Sequence, residues 1–117
     1  MNRRELENYI SNAYGVSADY PWIKYPSFAV YRHNSNKKWF AVIMTIDKSK
    51  LSILGGGQIN VVNLKCEPII LNSALNERGF YPAYHMNKEH WLPVALDGTV
   101  SEEKIKFFLS LSHELTL

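Results

Sequence analysis

The run from Trp39 to Ile46 is apolar on both of its alternating sides: Trp39, Ala41 and Ile43 fall on one, Phe40, Val42, Met44 and Ile46 on the other. Successive side chains of a strand point to opposite faces, so such a strand must be covered twice. It predicts a strand central in its sheet, or one packed against other elements on each side, and it excludes a chain made of helices alone.

Neighbouring segments supply the rest of that sheet. Phe28 to Arg32 is rich in β-branched and aromatic residues, and the polar stretch His33 to Lys38 joins it to the central strand as a hairpin turn. After a loop from Asp47 to Gln58, with three consecutive glycines at 55 to 57, Ile59 to Lys65 reads as a third strand. There Val62, Leu64 and Cys66 share one face, and Asn63 and Lys65 the other. Phe80 to Met86 and His90 to Leu96 alternate around Asn87, Lys88 and Glu89 as a second hairpin. Pro93 cannot donate to a ladder, which places the last strand at an edge or on a bulge.

Three segments carry helical periodicity. Leu6, Tyr9, Ile10 and Ala13 line one face of a first helix that Gly15 ends. Pro68 suits the first position of a second helix, which continues through Ile70, Leu71, Ala74 and Leu75 to a cap at Gly79. Ser101, followed by Glu102 and Glu103, starts a third that reaches about Glu114. Between the first helix and the first strand, Pro21 and Pro26 make an ordered aromatic connector. The expectation is a single α+β domain over residues 1–117: an antiparallel sheet of about five strands in the order α-β-β-β-α-β-β-α.

Composition narrows the function classes. Lys plus Arg number 13 against 11 Asp plus Glu, a net charge of only +2, so any affinity for polyanions must come from a local patch. Cys66 is the sole cysteine, which forbids an intrachain disulfide and suits a reducing compartment. Met1 to Ile10 lacks the apolar core of a signal peptide, no run approaches membrane-spanning length, and the expected location is cytoplasmic.

No catalytic signature stands out. Cys66 with His85 or His90 offers the atoms of a thiolate–imidazole pair, but its phase with Val62 and Leu64 reads as a packed thiol. His85, Glu89 and His90 lack metal-site spacing, the glycine triplet is not followed by Lys-Ser or Lys-Thr, and the carboxylates are scattered. No enzyme activity, cofactor or metal is expected. Two groups of residues remain. Arg32, Lys37, Lys38, Lys65, Lys88 and His90 sit at strand ends and hairpin tips, where cations straddle phosphates. Trp22, Tyr25, Trp39, Tyr84, His85 and Trp91 offer aromatic surface for a pocket.

The motifs FAVYRH (from Phe28), KWFA (from Lys38), VNLKCEP (from Val62) and PAYHMNKEHW (from Pro82) resemble, in that order, the MmcQ/YjbR family of small bacterial proteins. The resemblance covers most of the chain. It implies a CyaY-like antiparallel sheet flanked by helices, with a "double wing" surface for DNA. The wings would be the two hairpin regions, with Lys65, Lys88 and His90 on the surface between them. Two positions depart from the family pattern: Glu67 stands where Asp usually precedes the helix proline, and Pro93 replaces a residue able to donate to the sheet. The function this implies is non-enzymatic DNA binding through phosphate contacts. The alternative is a small-molecule or protein-binding module that uses the aromatic pocket.

Overall fold

The computed structural model describes residues 1–117. Helix α1 (Arg3–Tyr14) leads into strand β1 (Ala29–Arg32) and strand β2 (Trp39–Asp47). Strand β3 (Gln58–Lys65), helix α2 (Pro68–Ala74), strand β4 (Trp91–Ala95) and helix α3 (Glu102–Leu115) follow. The strands form one four-stranded antiparallel sheet in the order β1-β2-β3-β4. The expected α+β class and antiparallel pairing are met, with four strands rather than about five.

The missing strand is the segment expected over Phe80 to Met86. Only its beginning pairs: Phe80 bridges Val94, and the Tyr81 amide donates to the Pro93 carbonyl at 3.1 Å. Pro82 then supplies no donor, and His85 turns the chain with a left-handed φ of 66°. The segment leaves the sheet, and the expected second hairpin is instead a loop that re-enters at Trp91. Pro93 lies on the edge strand, as expected. Its carbonyl faces outward to Tyr81, so its nitrogen also points away from β3 and no ladder bond is lost.

Each helix is set by local chemistry. Asn2 and Glu5 form a reciprocal capping box at the start of α1, with both bonds at 2.9 Å, and Gly15 closes the helix at φ 64°. Pro68 opens α2, and Glu67 before it makes no side-chain cap, in keeping with its poor fit to that position. α2 ends at Ala74, short of the expected Gly79, because Asn76 and Glu77 bond back three residues to Ser73 and Ala74 and tighten the chain into turns. Ser101 caps α3 by accepting from the Lys104 amide.

All three helices cover one face of the sheet. Leu6 and Ile10 of α1, Leu71 and Ala74 of α2, and Ile105, Phe108 and Leu109 of α3 pack with Ala29, Tyr31, Ala41, Ile43, Val62, Leu64, Leu92 and Val94 in one core. The other face carries Val30, Val42, Met44, Ile46, Ile59, Val61 and Ala95. No helix covers it. It is roofed by the aromatic connector, through Trp22, Tyr25 and Phe28, and by Tyr81, Tyr84 and Met86 of the loop before β4. β2 is therefore central and covered twice.

One feature departs from simple alternation. Tyr31 pairs with Ala41 but Arg32 pairs with Trp39, so Phe40 is an extra residue opposite β1. The bulge exchanges the sides expected for Trp39 and Phe40. Phe40 joins Ala41 in the helix-side core, and Trp39 packs on the roofed face. The β2–β3 ladder begins only at Ala41 and Leu64. Beyond it, the fully buried Ser112 of α3 donates to the Phe40 carbonyl at 2.6 Å and accepts from the Lys65 amide at 2.8 Å.

Candidate functional site

Chain direction gathers four strand ends at one end of the sheet. β1 finishes at Arg32 opposite the first residue of β2, Trp39, and β3 finishes at Lys65 opposite the first residue of β4, Trp91. Alternation places Arg32, Lys65 and Trp91 on the same face as Val30, Val61 and Ala95, which is the face without helices. All four residues are half-buried. The turn His33 to Lys38 and the turn Asn87 to His90 rise at this same end, and Lys37, Lys38, Lys88 and His90 are exposed on them. The six basic residues picked out in the sequence thus share one end of the sheet. Exposed Glu67 and Glu89 share it with them and moderate its charge.

The first turn is firmly held. His33 exchanges backbone bonds with Lys37 and Lys38, Asn36 donates to the Thr116 carbonyl, and the buried His33 ring meets the Thr116 hydroxyl at 2.7 Å. Arg32 is engaged on two sides. Its Nε donates to Asp19 at 2.8 Å, and its guanidinium lies 5.4 Å from the centre of the Trp39 ring.

Trp39 begins a continuous array of rings across the helix-free face. Trp39 meets Trp22 edge-on at 5.5 Å, Trp22 meets Phe28 at 5.9 Å, and Phe28 stacks on Tyr25 at 4.8 Å. Tyr25 then meets His85 at 5.3 Å and His85 meets Tyr84 at 3.9 Å, with Lys50 over the Tyr84 ring at 5.7 Å. The array encloses a cavity of about 230 Å³ lined by Trp22, Tyr25, Phe28, Trp39, Met44, His85 and Met86. Four of the aromatic residues expected to form a pocket line it: Trp22, Tyr25, Trp39 and His85. Tyr84 lines a neighbouring cavity of about 170 Å³ with Lys50 and Asp47, and Trp91 lines neither.

Phe28, Met44 and Met86 were not anticipated as pocket residues. Met44 was legible in principle, because it shares a strand face with Val42 and Ile46; Met86 was not, because the strand expected there does not form. A third cavity, of about 450 Å³, opens on the other side of Arg32. It is lined only by Gly15, Ser17, Asp19, Arg32, His33, Asn34 and Lys37.

Asn63 looked in sequence like part of a polar strand face, yet it is buried. Its Nδ2 donates to the Val42 carbonyl at 3.1 Å and its Oδ1 has no partner. Cys66 is buried at 3% exposure, and burial, followed by the nearby Glu67, pushes its thiol above the usual range. His85, Glu89 and His90 do not converge, and no three His, Cys, Asp or Glu side chains do so anywhere in the fold. No helix is long and apolar enough to cross a membrane.

An imidazole pair lies on the helix side, where the His33 and His113 rings are 4.3 Å apart and Tyr14 stands 4.5 Å from His113. Burial, then His33, holds the His113 pKa below its ordinary 6.5, with Glu114 opposing them. The unfolded chain therefore takes up a proton as pH falls below about 6.5 while the folded chain resists it, so this contribution to stability is lost on acidification. Thermal melts should show a lower Tm at pH 5 than at pH 8, and the difference should shrink in His113→Gln. An unchanged difference would assign the pH dependence elsewhere.

Comparison with known proteins places this architecture. The family model described as YjbR matches residues 3–115. The chain belongs to the YjbR family. It is 41% identical over 116 residues to the uncharacterised protein YyaQ of Bacillus subtilis (strain 168), covering 99% of this chain and 98% of that one. Among solved structures, it superposes on the crystal structure of a Pseudomonas syringae protein with a TM-score of 0.97, at 40% identity and full coverage of both chains. The crystal structure of Deinococcus radiodurans protein DR2400, described with domain DUF419, matches with a TM-score of 0.60 at 25% identity, over 86% of this chain and 67% of that one. In this YjbR chain the first of the two regions expected as wings is the bulged β1–β2 hairpin and the second is the irregular loop from Pro82 to His90.

Proposed function

We propose that this protein is a non-enzymatic nucleic-acid-binding domain that acts through the end of the sheet where β1, β2, β3 and β4 expose Arg32, Trp39, Lys65 and Trp91. The observation that carries this reading is the convergence there of half-buried tryptophans with Lys37, Lys38, Lys65, Lys88 and His90. Cations gathered at one end of a sheet can address phosphates, and flat rings among them sugars or bases. Asp19, Glu67 and Glu89 and the net charge of +2 set the expected affinity low.

Counterion release gives the test. A binding isotherm with DNA at two or more salt concentrations should show log K falling with log salt, and Lys65→Ala should reduce that slope by about one while weakening binding similarly across sequences. Binding that is indifferent to salt, or absent at low ionic strength, would refute the reading.

The aromatic cavity favours a second reading, a small-molecule-binding module. Its volume of about 230 Å³ and its apolar lining suit a ligand smaller than most drug-sized ones. Such binding would depend little on salt.

A further inference from the structure

We propose that the polar cleft and the aromatic cavity are two halves of one site for a single nucleotide unit, with the phosphate in the first and the base in the second. The inference rests on the reading that this end of the sheet meets nucleic acid, and it names what that site takes: an unstacked nucleotide rather than a duplex.

The two compartments have no lining residue in common but adjoin where Arg32 meets Trp39. Arg32 lines the cleft, and its guanidinium stands 5.4 Å from the centre of the Trp39 ring, which lines the cavity. A ligand spanning them needs a flat apolar part joined by a short linker to an anion, and a nucleotide has that form. On the apolar side, the cavity of about 230 Å³ lined by Trp22, Trp39, Tyr25 and Met86 among others has room for one planar ring system. The one imidazole on that wall, His85, can donate to or accept from a base edge, and its φ of 66° is a conformation that non-glycine residues adopt mainly where surroundings impose it.

On the polar side, Arg32 and Lys37 supply positive charge in a cleft of about 450 Å³ with no hydrophobic residue. Asp19, 2.8 Å from Arg32, is the carboxylate with which a phosphate must compete. A base can enter the cavity only out of its stack. A single strand offers this at small cost, a free nucleotide at none, and a duplex only after unpairing.

The full chain, titrated at low salt with fluorescein-labelled oligothymidylate and with a labelled duplex of equal length, gives the test by anisotropy, with thymidine monophosphate as competitor. The single strand should bind about tenfold tighter than the duplex. Met86→Phe, which adds bulk to the cavity from a half-buried loop position, should weaken single-strand binding about tenfold and leave the duplex unchanged, with a thermal melt confirming the fold. Asp19→Asn should tighten the strand and the monophosphate but not the phosphate-free nucleoside thymidine.

Equal binding of strand and duplex, both indifferent to Met86→Phe, would overturn the nucleotide site and leave phosphate contact standing. Direct binding of the monophosphate, read by isothermal titration calorimetry and lost in Met86→Phe, without binding of either labelled nucleic acid, would support the site and overturn the nucleic-acid reading. Failure of all three ligands would overturn both.

Discussion

Ser112→Ala should lower the melting temperature by about 10 °C. The hydroxyl stands where the β2–β3 ladder has stopped, and it serves the Phe40 carbonyl and the Lys65 amide together. Alanine leaves both without a partner. A buried polar group stripped of its hydrogen bond costs about 1–3 kcal/mol, and partial access of water to Lys65 keeps the total at roughly 2–4 kcal/mol. In a domain of this size each kcal/mol moves Tm by roughly 3–5 °C. Ser110→Ala is the control, because that hydroxyl bonds only the Phe107 carbonyl within its own helix and its loss should stay within about 0.5 kcal/mol. Equal melting of Ser112→Ala and the parent would show that the strands close over the gap unaided.

Gly79→Ala should be about as damaging, for a different reason. Its φ of 91° strains any L side chain, and a Cβ there would stand 2.4 Å from Cγ2 of Val100. Strain of about 1 kcal/mol and overpacking of about 1–3 kcal/mol then add. Gly98 separates the two contributions: it has a φ of 90° with nothing within 4 Å of its Cβ position, so Gly98→Ala carries the strain alone. Chemical denaturation of both variants, and of Gly79→Ala combined with Val100→Ala, measures each part. Recovery of most of the difference in the double variant is expected, and no recovery would mean that Val100 is not the obstacle.

Sequence periodicity located what local rules govern. The burial of Leu6 and Ile10 in α1, though not of Ala13 in the same row, the central position of β2 and the edge position of Pro93 follow from side-chain spacing or from the missing proline donor. What it could not locate depends on partners distant in the chain. The bulge at Phe40 needs a shift of register against Tyr31 and Arg32, and no property of WFAVIM announces it. Phe80 to Met86 carries the alternation of a strand, but Pro82 and the turn at His85 outweigh it.

The candidate site divides in the same way. Lysines at hairpin tips could be read residue by residue, because topology returns strand ends to one end of the sheet. The cavity could be named only in part, since Met44 and Met86 come to it from separate layers. The Arg32–Asp19 pair joins residues 13 apart across a bridge between the connector and β1, beyond the reach of any periodicity.

Both borders of the sheet are already occupied. On β1, Val30 exchanges two backbone bonds of 2.8 Å with Asp19; on β4, the Pro93 carbonyl and the Ala95 amide are taken by Tyr81 and Gly79. A strand from another molecule arriving at either side would find those groups spent, and Pro93 can offer no donor in their stead. Growth by strand addition, the route to swapped dimers and to fibrils, is closed without the chain first surrendering its own contacts.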